Sequence, residues 1–178
     1  MLVNRMIKVG EKIPDVSFLA KEGPKEVWKK VHDQFSQKKV LLLGVPDLFV
    51  PDYPSSMVRG YDVMAAEIKS FGIDEIIFTA NLDYFILKAW AKKEGLENVG
   101  LMPDGNSDWA KAIGMLVDMS DRGLGLRSHR YAMIIDNLHL KKVFYEDFSH
   151  DSRTCFLETN VEKLVSYLES IKETWESF

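Results

Sequence analysis

Short apolar runs, none longer than a β-strand, constrain most strongly what this chain of 178 residues can fold into. The run KVLLLGV (39–45) is continuous and aliphatic, which is typical of a strand buried on both faces of a sheet. EIIFTA (75–80) has the same character. The runs 130–136 and 140–146 are separated by only three residues, which predicts an antiparallel hairpin. Two weaker candidates remain, a strand at 98–102 and an edge strand at 13–18.

Helical periodicity fills the intervals between these runs. Apolar residues recur at spacings of four and three from Met57 to Phe71, which predicts a helix that begins at Pro54 and ends at Gly72. Further helices are predicted at 83–93, from about Ser107, and at 161–175. Alternating strands and helices favour a parallel core, to which the hairpin adds antiparallel strands. We therefore expect an α/β protein with a thioredoxin-like fold, in which helices flank a central mixed β-sheet.

Composition limits the domain count and the partners. The length suits one domain over 1–178. The net charge of −4, from 23 basic and 27 acidic residues, argues against a nucleic-acid partner. The basic cluster Arg122, Arg127, Arg130, Lys141 and Lys142 is interpreted as solvated surface. Neither a signal peptide nor an apolar run of membrane-spanning length is present, so we expect an intracellular, cytoplasmic protein without membrane contact, with an organellar location left open.

Cysteine and histidine usage excludes several kinds of site. A single cysteine, Cys155, rules out an internal disulfide and a CxxC redox pair. The four histidines have no spacing that places two of them on one helical face, so no metal site is expected. No cofactor is expected either.

Four sequence blocks, in fixed order, carry a resemblance to a known family. They are GVPDLFVPDYPSSMVRGY (44–61), IKSFGIDEIIFTANLDYFILKAW (68–90), MPDGNSDWAKAIGMLVD (102–118) and GLGLRSHRYAMIID (123–136). Together they resemble peroxiredoxins of subfamily five and their bacterial glutaredoxin-fused relatives. The resemblance implies the thioredoxin-like fold and a homodimer built from loops around the active site. It also implies that the loop at 123–125 brings Arg130 to that site.

Peroxiredoxins reduce peroxides with a thiolate whose pKa is lowered by a helix N-terminus and a nearby arginine. A threonine orients the peroxide and a proline shields the pocket. Position by position, the resemblance assigns the proline to Pro46 and the arginine to Arg130. Val50 stands where the family has its threonine, and Tyr53 stands where it has its peroxidatic cysteine.

These two departures lead to the main functional expectation. The phenol of Tyr53 has an ordinary pKa near 10 and lacks the oxidation chemistry of sulfur, and Val50 has no hydroxyl. We therefore expect a protein without thiol peroxidase activity that acts as a binding, accessory or structural subunit. Its partner would be an active paralogue in a mixed oligomer, a larger protein assembly, or a small anion at Arg130.

Two further hypotheses concern individual residues. Asp52 is a candidate ion-pair partner for Arg130. Cys155 is interpreted as a leftover apolar residue. The alternative is an antioxidant, thiol-dependent peroxidase that works through Cys155 with glutathione or thioredoxin as reductant, in which His150 and Arg153 lower the pKa of the thiol.

Overall fold

The computed structural model describes residues 5–49, 55–146 and 157–175 of the chain. The strands are β1 (Ser17–Glu22), β2 (Lys25–Lys30), β3 (Lys39–Gly44), β4 (Glu75–Ala80), β5 (Gly100–Pro103), β6 (Leu116–Asp118), β7 (Leu126–Ser128), β8 (Tyr131–Asp136) and β9 (His139–Tyr145). The α-helices are α1 (Val31–Phe35), α2 (Ser55–Val63), α3 (Ala65–Ser70), α4 (Tyr84–Glu94), α5 (Asp108–Ala112) and α6 (Val161–Trp175).

Five strands form the central sheet, in the order β5-β4-β3-β8-β9. β3 pairs in parallel with β4, and β4 pairs in parallel with β5. β8 pairs antiparallel with both β3 and β9, and Gly44 lies opposite Tyr131 in the β3–β8 register. The sheet is therefore mixed, with a parallel half and an antiparallel hairpin, as the thioredoxin-like prediction requires.

Side chains alternate between two apolar layers, one on each face of the sheet. Leu41 and Leu43 of β3 face the layer that contains residues of α2, α4 and α6. Val40 and Leu42 face the opposite layer, which contains residues of β1, α1 and α5. This burial on both faces explains why the strands read as continuous apolar runs.

The helix predicted over 54–72 is divided in two. Met64, between α2 and α3, has φ −87° and ψ 10°, outside α-helical geometry, although its N–H still donates to the Gly60 carbonyl. Apolar periodicity continues through this break and so cannot reveal it. Gly60 lies where α2 approaches α6, since a Cβ atom there would lie 2.9 Å from Cγ1 of Val161. The predicted start at Pro54 lies outside the described residues.

The predicted edge strand at 13–18 is wrong in its bounds. β1 begins at Ser17 and pairs with β2 in a two-stranded hairpin that turns at Gly23 and Pro24. The sequence signal for β2 is weak because KEVWKK is largely charged and exposed. Within the described residues, every helix is too short or too polar to cross a lipid bilayer.

Candidate functional site

The sheet brings Pro46 and Arg130 to the same edge. Pro46 follows β3 by two residues, and Arg130 immediately precedes β8. Because Gly44 and Tyr131 are paired across these two strands, the ends of the strands that carry Pro46 and Arg130 are adjacent. The predicted association of these two residues is thus explained by the antiparallel β3–β8 pairing.

Arg130 is almost completely enclosed, with 4% of its surface exposed. A guanidinium keeps its proton at any physiological pH, so a positive charge is held inside the protein here. The Arg130 carbonyl accepts a hydrogen bond of 3.0 Å from the backbone N–H of Glu146. The backbone at Arg130 is thereby tied to the residue that follows β9.

An ion pair joins the loop after β3 to β7. Oδ1 of Asp47 lies 3.6 Å from Nε of Arg127, and only 9% of the Asp47 side chain is exposed. Asp47 was not among the predicted site residues, and Arg127 and Arg130 were both assigned to a solvated surface cluster. That interpretation is wrong for both arginines, because the Arg127 side chain is largely covered and paired with a buried carboxylate, and Arg130 is buried. Nothing in the sequence relates residues 80 positions apart, so the pair could not be found there.

The backbone of Phe49 has a conformation that is unusual for a residue other than glycine. Its φ is +63°, in the left-handed region where a Cβ atom costs about 1–2 kcal/mol. Its ring is exposed, and Nζ of Lys93 lies 5.2 Å from the ring centroid. Strain of this kind persists where the surrounding structure imposes it, and it is concentrated at functional sites.

Two buried aromatic residues, Tyr131 and Trp109, are hydrogen-bonded to each other next to this edge. The hydroxyl of Tyr131 accepts a hydrogen bond of 2.9 Å from Nε1 of Trp109, and burial raises the pKa of Tyr131, so the phenol stays neutral. A Cβ atom on Gly44 would lie 2.2 Å from the Tyr131 ring. Glycine at this position is therefore required for the ring to pack against β3.

Glu146 is joined to residues 158 and 159 by hydrogen bonds. The buried carboxylate of Glu146 accepts hydrogen bonds from the N–H of Glu158 and from the N–H and hydroxyl of Thr159, at 2.8–2.9 Å. The hydroxyl of Tyr61, in α2, donates to the Thr159 carbonyl at 2.8 Å. Glu146 and Thr159 therefore meet beside α2, and the N–H of Glu146 is bonded to the Arg130 carbonyl.

The remaining predicted site residues lie outside the described residues. They are Val50, Asp52, Tyr53 and Cys155. The hypothesis of an Asp52–Arg130 ion pair consequently stays a prediction. In the described part of the chain, no group of His, Cys, Asp and Glu residues is arranged to hold a metal ion.

Comparison with known proteins gives consistent matches. The Redoxin family model matches residues 8–162. The hybrid peroxiredoxin hyPrx5 of Haemophilus influenzae is 32% identical over 168 residues, which cover 94% of this chain and 69% of that protein. Peroxiredoxin-2D of Arabidopsis thaliana is 39% identical over 135 residues, covering 74% of this chain and 83% of that protein.

Solved structures agree with the fold. Reduced Prx3 of Vibrio vulnificus in complex with H2O2 superposes with a TM-score of 0.82 at 34% identity, covering 92% of this chain and 97% of that chain. The antioxidant protein of Plasmodium falciparum, a 1-Cys peroxiredoxin, superposes with a TM-score of 0.83 at 29% identity, covering 92% and 99%. The thioredoxin-like fold predicted from the sequence is confirmed.

These matches overturn the expectation of a non-enzymatic, accessory or structural subunit. The homologues are peroxiredoxins, which are thiol peroxidases. The expectation relied on the side chains at positions 50 and 53 alone, and neither lies in the described residues. The described surroundings, with Pro46 and the buried charge of Arg130, give no evidence of lost activity. The chain belongs to the redoxin family and is a peroxiredoxin, close to hyPrx5 and the plant peroxiredoxin-2 proteins.

Proposed function

We propose that this chain is an antioxidant, thiol-dependent peroxidase that reduces hydroperoxides through Cys155, with glutathione or thioredoxin as the electron donor. The observation that carries the proposal is the match with peroxiredoxins along nearly the whole chain. A solved structure of a Vibrio vulnificus relative contains H2O2, which supports a peroxide as the substrate class.

The assignment to Cys155 follows from the composition of the chain. Thiolate sulfur is the nucleophile in thiol peroxidase chemistry, and Cys155 is the single cysteine. By the resemblance described above, Tyr53 and Val50 occupy the family positions of the peroxidatic cysteine and its threonine, so the thiol must come from elsewhere. A relative named as a 1-Cys peroxiredoxin supports a mechanism with one cysteine.

The contacts around segment 147–156 support this assignment. Cys155 precedes Thr159 by four residues, and four residues of extended chain span at most about 14 Å. Thr159 is bonded to Tyr61 of α2 and to Glu146, whose N–H is bonded to the Arg130 carbonyl. The length of chain between Cys155 and Thr159 therefore permits the thiol to approach the edge of the sheet where Arg130 holds its buried positive charge.

The proposed reaction proceeds in three steps. The Cys155 thiolate attacks one peroxide oxygen, the O–O bond breaks, and the departing alkoxide takes up a proton to become an alcohol. The sulfur is oxidised to a sulfenic acid, which a first reductant thiol converts to a mixed disulfide with release of water. A second thiol attacks this disulfide and restores the Cys155 thiol. In sum, one hydroperoxide and two thiols yield an alcohol, water and a disulfide.

A comparison of variants tests the proposal. Consumption of tert-butyl hydroperoxide by the purified protein, with glutathione or thioredoxin as donor, should require Cys155. Cys155→Ser should reduce turnover to the protein-free rate, because a serine hydroxyl cannot be oxidised by peroxide as a thiolate is. Thr154→Ser is the matched control and should retain turnover, since it changes the neighbouring residue and keeps the thiol.

Mass spectrometry provides a second readout. After one equivalent of peroxide in the presence of dimedone, the sulfenic acid adduct should be found on Cys155 of the wild type. Wild-type protein that consumes no peroxide with either donor, or Cys155→Ser protein that retains turnover, would contradict the proposal.

We also propose that the chain forms a homodimer through the edge that carries Pro46 and Arg130. The apolar side chains of Phe49 and Leu126 are exposed there. The ion pair between Asp47 and Arg127 brings their two loops together. Neighbouring exposed apolar side chains are typical of a protein–protein contact surface.

A further inference from the structure

A cleft lies at the carboxyl ends of β4 and β5, displaced along the sheet from Pro46 and Arg130. Its walls are the β1–β2 hairpin and the first turn of α4, and its floor is formed by the residues that follow β5. Its volume is about 260 Å³. Since a cavity of about 150 Å³ accommodates benzene, this volume suffices for a single ring that carries a polar group. In the sheet, β3 lies between β4 and β8, and therefore between the cleft and Arg130.

Aromatic side chains line the mouth of the cleft. Trp28 of β2 and Phe85 of α4 are 62% and 56% exposed, and the adjacent Tyr84 also lines the cleft. Exposing a large aromatic side chain to water costs free energy. Two such side chains at one concave surface therefore indicate a binding site. The ring of Phe85 already attracts a cation, because Nζ of Lys21 lies 4.8 Å from its centroid.

The charge of the cleft is strongly negative. Four carboxylates line it, and Lys21 is the one cation among the lining residues; the carboxylates are those of Glu26, Asp83, Asp104 and Asp108. None of the four takes part in an ion pair within the described part of the chain. Asp104 is buried at the base, where its oxygens accept hydrogen bonds from Trp109, Ala110 and Asn81. Unpaired carboxylates beside aromatic rings are complementary to a cation that has an apolar body.

We propose that this cleft binds a small organic cation, with its ammonium or guanidinium group towards the carboxylates and its apolar body against Trp28 and Phe85. A free amine and a lysine or arginine side chain of another protein share this chemistry. The site is distinct from the one in the peroxidase proposal, because neither Pro46 nor Arg130 is among its lining residues.

Three probes of similar shape and different charge test the inference, namely benzylamine, benzyl alcohol and benzoate. Binding can be followed by backbone amide NMR shifts and by tryptophan fluorescence, to which the exposed Trp28 of the cleft contributes. Benzylamine should saturate with a dissociation constant on the order of 1 mM, as expected for so small a ligand. Benzyl alcohol should bind at least about tenfold more weakly, benzoate should not bind, and added salt should weaken the binding of benzylamine.

Variants locate the site. The double variant Glu26→Gln/Asp108→Asn removes two exposed carboxylates and should weaken benzylamine binding about tenfold or more. Phe85→Ala should weaken it as well. Glu94→Gln, at the opposite end of α4, is the matched control and should bind as the wild type does.

A second pair of ligands distinguishes a free amine from a protein side chain as the bound cation. They are spermidine and the blocked amino acid Nα-acetyl-lysine methylamide. Tighter binding of spermidine favours a free amine, and tighter binding of the blocked lysine favours a protein side chain. The inference would be overturned if benzylamine, benzyl alcohol and benzoate bound equally well. It would also be overturned if the amide shifts lay away from the cleft, or if the double variant bound benzylamine as the wild type does.

Discussion

Asp104 shows how burial changes the chemistry of a single carboxyl group. Removal from water raises the pKa of Asp104 from 3.8 to about 6, and the hydrogen bonds from the N–H groups of Ala110 and Trp109 oppose that shift only in part. The same N–H groups begin α5, so the carboxylate that is costly to ionise also caps the start of a helix.

The raised pKa of Asp104 predicts a pH dependence of stability. Between about pH 4 and pH 6 the folded protein holds this proton while the unfolded chain has released it. The folded state therefore binds more protons than the unfolded state in this window. The contribution of Asp104 to the free energy of unfolding consequently falls as the pH rises from about 4 to about 6. At 1.4 kcal/mol per pH unit the loss amounts to roughly 3 kcal/mol.

Urea unfolding of the wild type and of Asp104→Asn from pH 4 to pH 7 measures this effect, since the variant lacks the titrating group. The ¹³C shift of the Asp104 carboxyl in the wild type provides a direct reading, with an expected midpoint near pH 6. A midpoint below pH 4, or equal slopes in the two proteins, would contradict the prediction.

Residues of the site differ in how far sequence could identify them. Pro46 and Arg130 could be predicted because each lies in a motif of consecutive residues, and their strands end at one edge of the sheet; their role in the site stays a prediction. Asp47 and Asp104 were missed because their importance depends on contacts and burial. An aspartate after a strand is most often a solvated loop residue, and no local pattern separates the two cases.

At the scale of elements, α2 is fixed by contacts that its own sequence does not reveal. Asp62, near its C-terminal end, is buried and accepts hydrogen bonds from the N–H of Glu97 at 2.9 Å and of Asn98 at 2.6 Å. The side-chain amide of Asn98 adds a third bond, at 3.2 Å. This carboxylate joins α2 to the loop between α4 and β5.

Replacement of Asp62 tests the strength of this connection. Asp62→Ala removes three hydrogen bonds, each worth about 1 kcal/mol, so a loss of about 3 kcal/mol in the free energy of unfolding is expected. Asp62→Asn keeps one acceptor oxygen and should lose less. The exposed Glu67→Ala in α3 should change stability by less than about 0.5 kcal/mol. Urea unfolding gives all three values, and a loss in Asp62→Ala no larger than in the control would sink the prediction.

Elements with local signals at both ends were predicted well. α4 begins after Asp83, whose Oδ1 accepts the N–H of Phe85 and of Ile86, and it ends at Gly95 in the left-handed conformation. The hairpin β1–β2 and the ribbon β6–β7 lack such signals. Their strands are short or largely polar and are stabilised by tertiary contacts, which periodicity cannot show.

At the scale of the whole molecule, the proposed homodimer gives a direct prediction. Leu126→Glu places a charge in the proposed interface, where it would lose its hydration, and should convert the dimer to a monomer. Val9→Glu is the matched control, because Val9 is also exposed but lies in the N-terminal turn. Sedimentation velocity should find twice the chain mass of 20.4 kDa for the wild type and the control. A monomeric wild type, or a dimeric Leu126→Glu protein, would show that this edge is not the interface.

The pairing of β3 with β8 also has a consequence for how the chain reaches its native state. Nearly ninety residues separate Gly44 from Tyr131, so their contact closes a long loop and must wait for much of the chain to be ordered. We therefore expect the strand ends that carry Pro46 and Arg130 to come together late in folding. A chain still emerging from the ribosome would carry β3 before β8 has been made, so this edge of the sheet would form only after synthesis has passed residue 136.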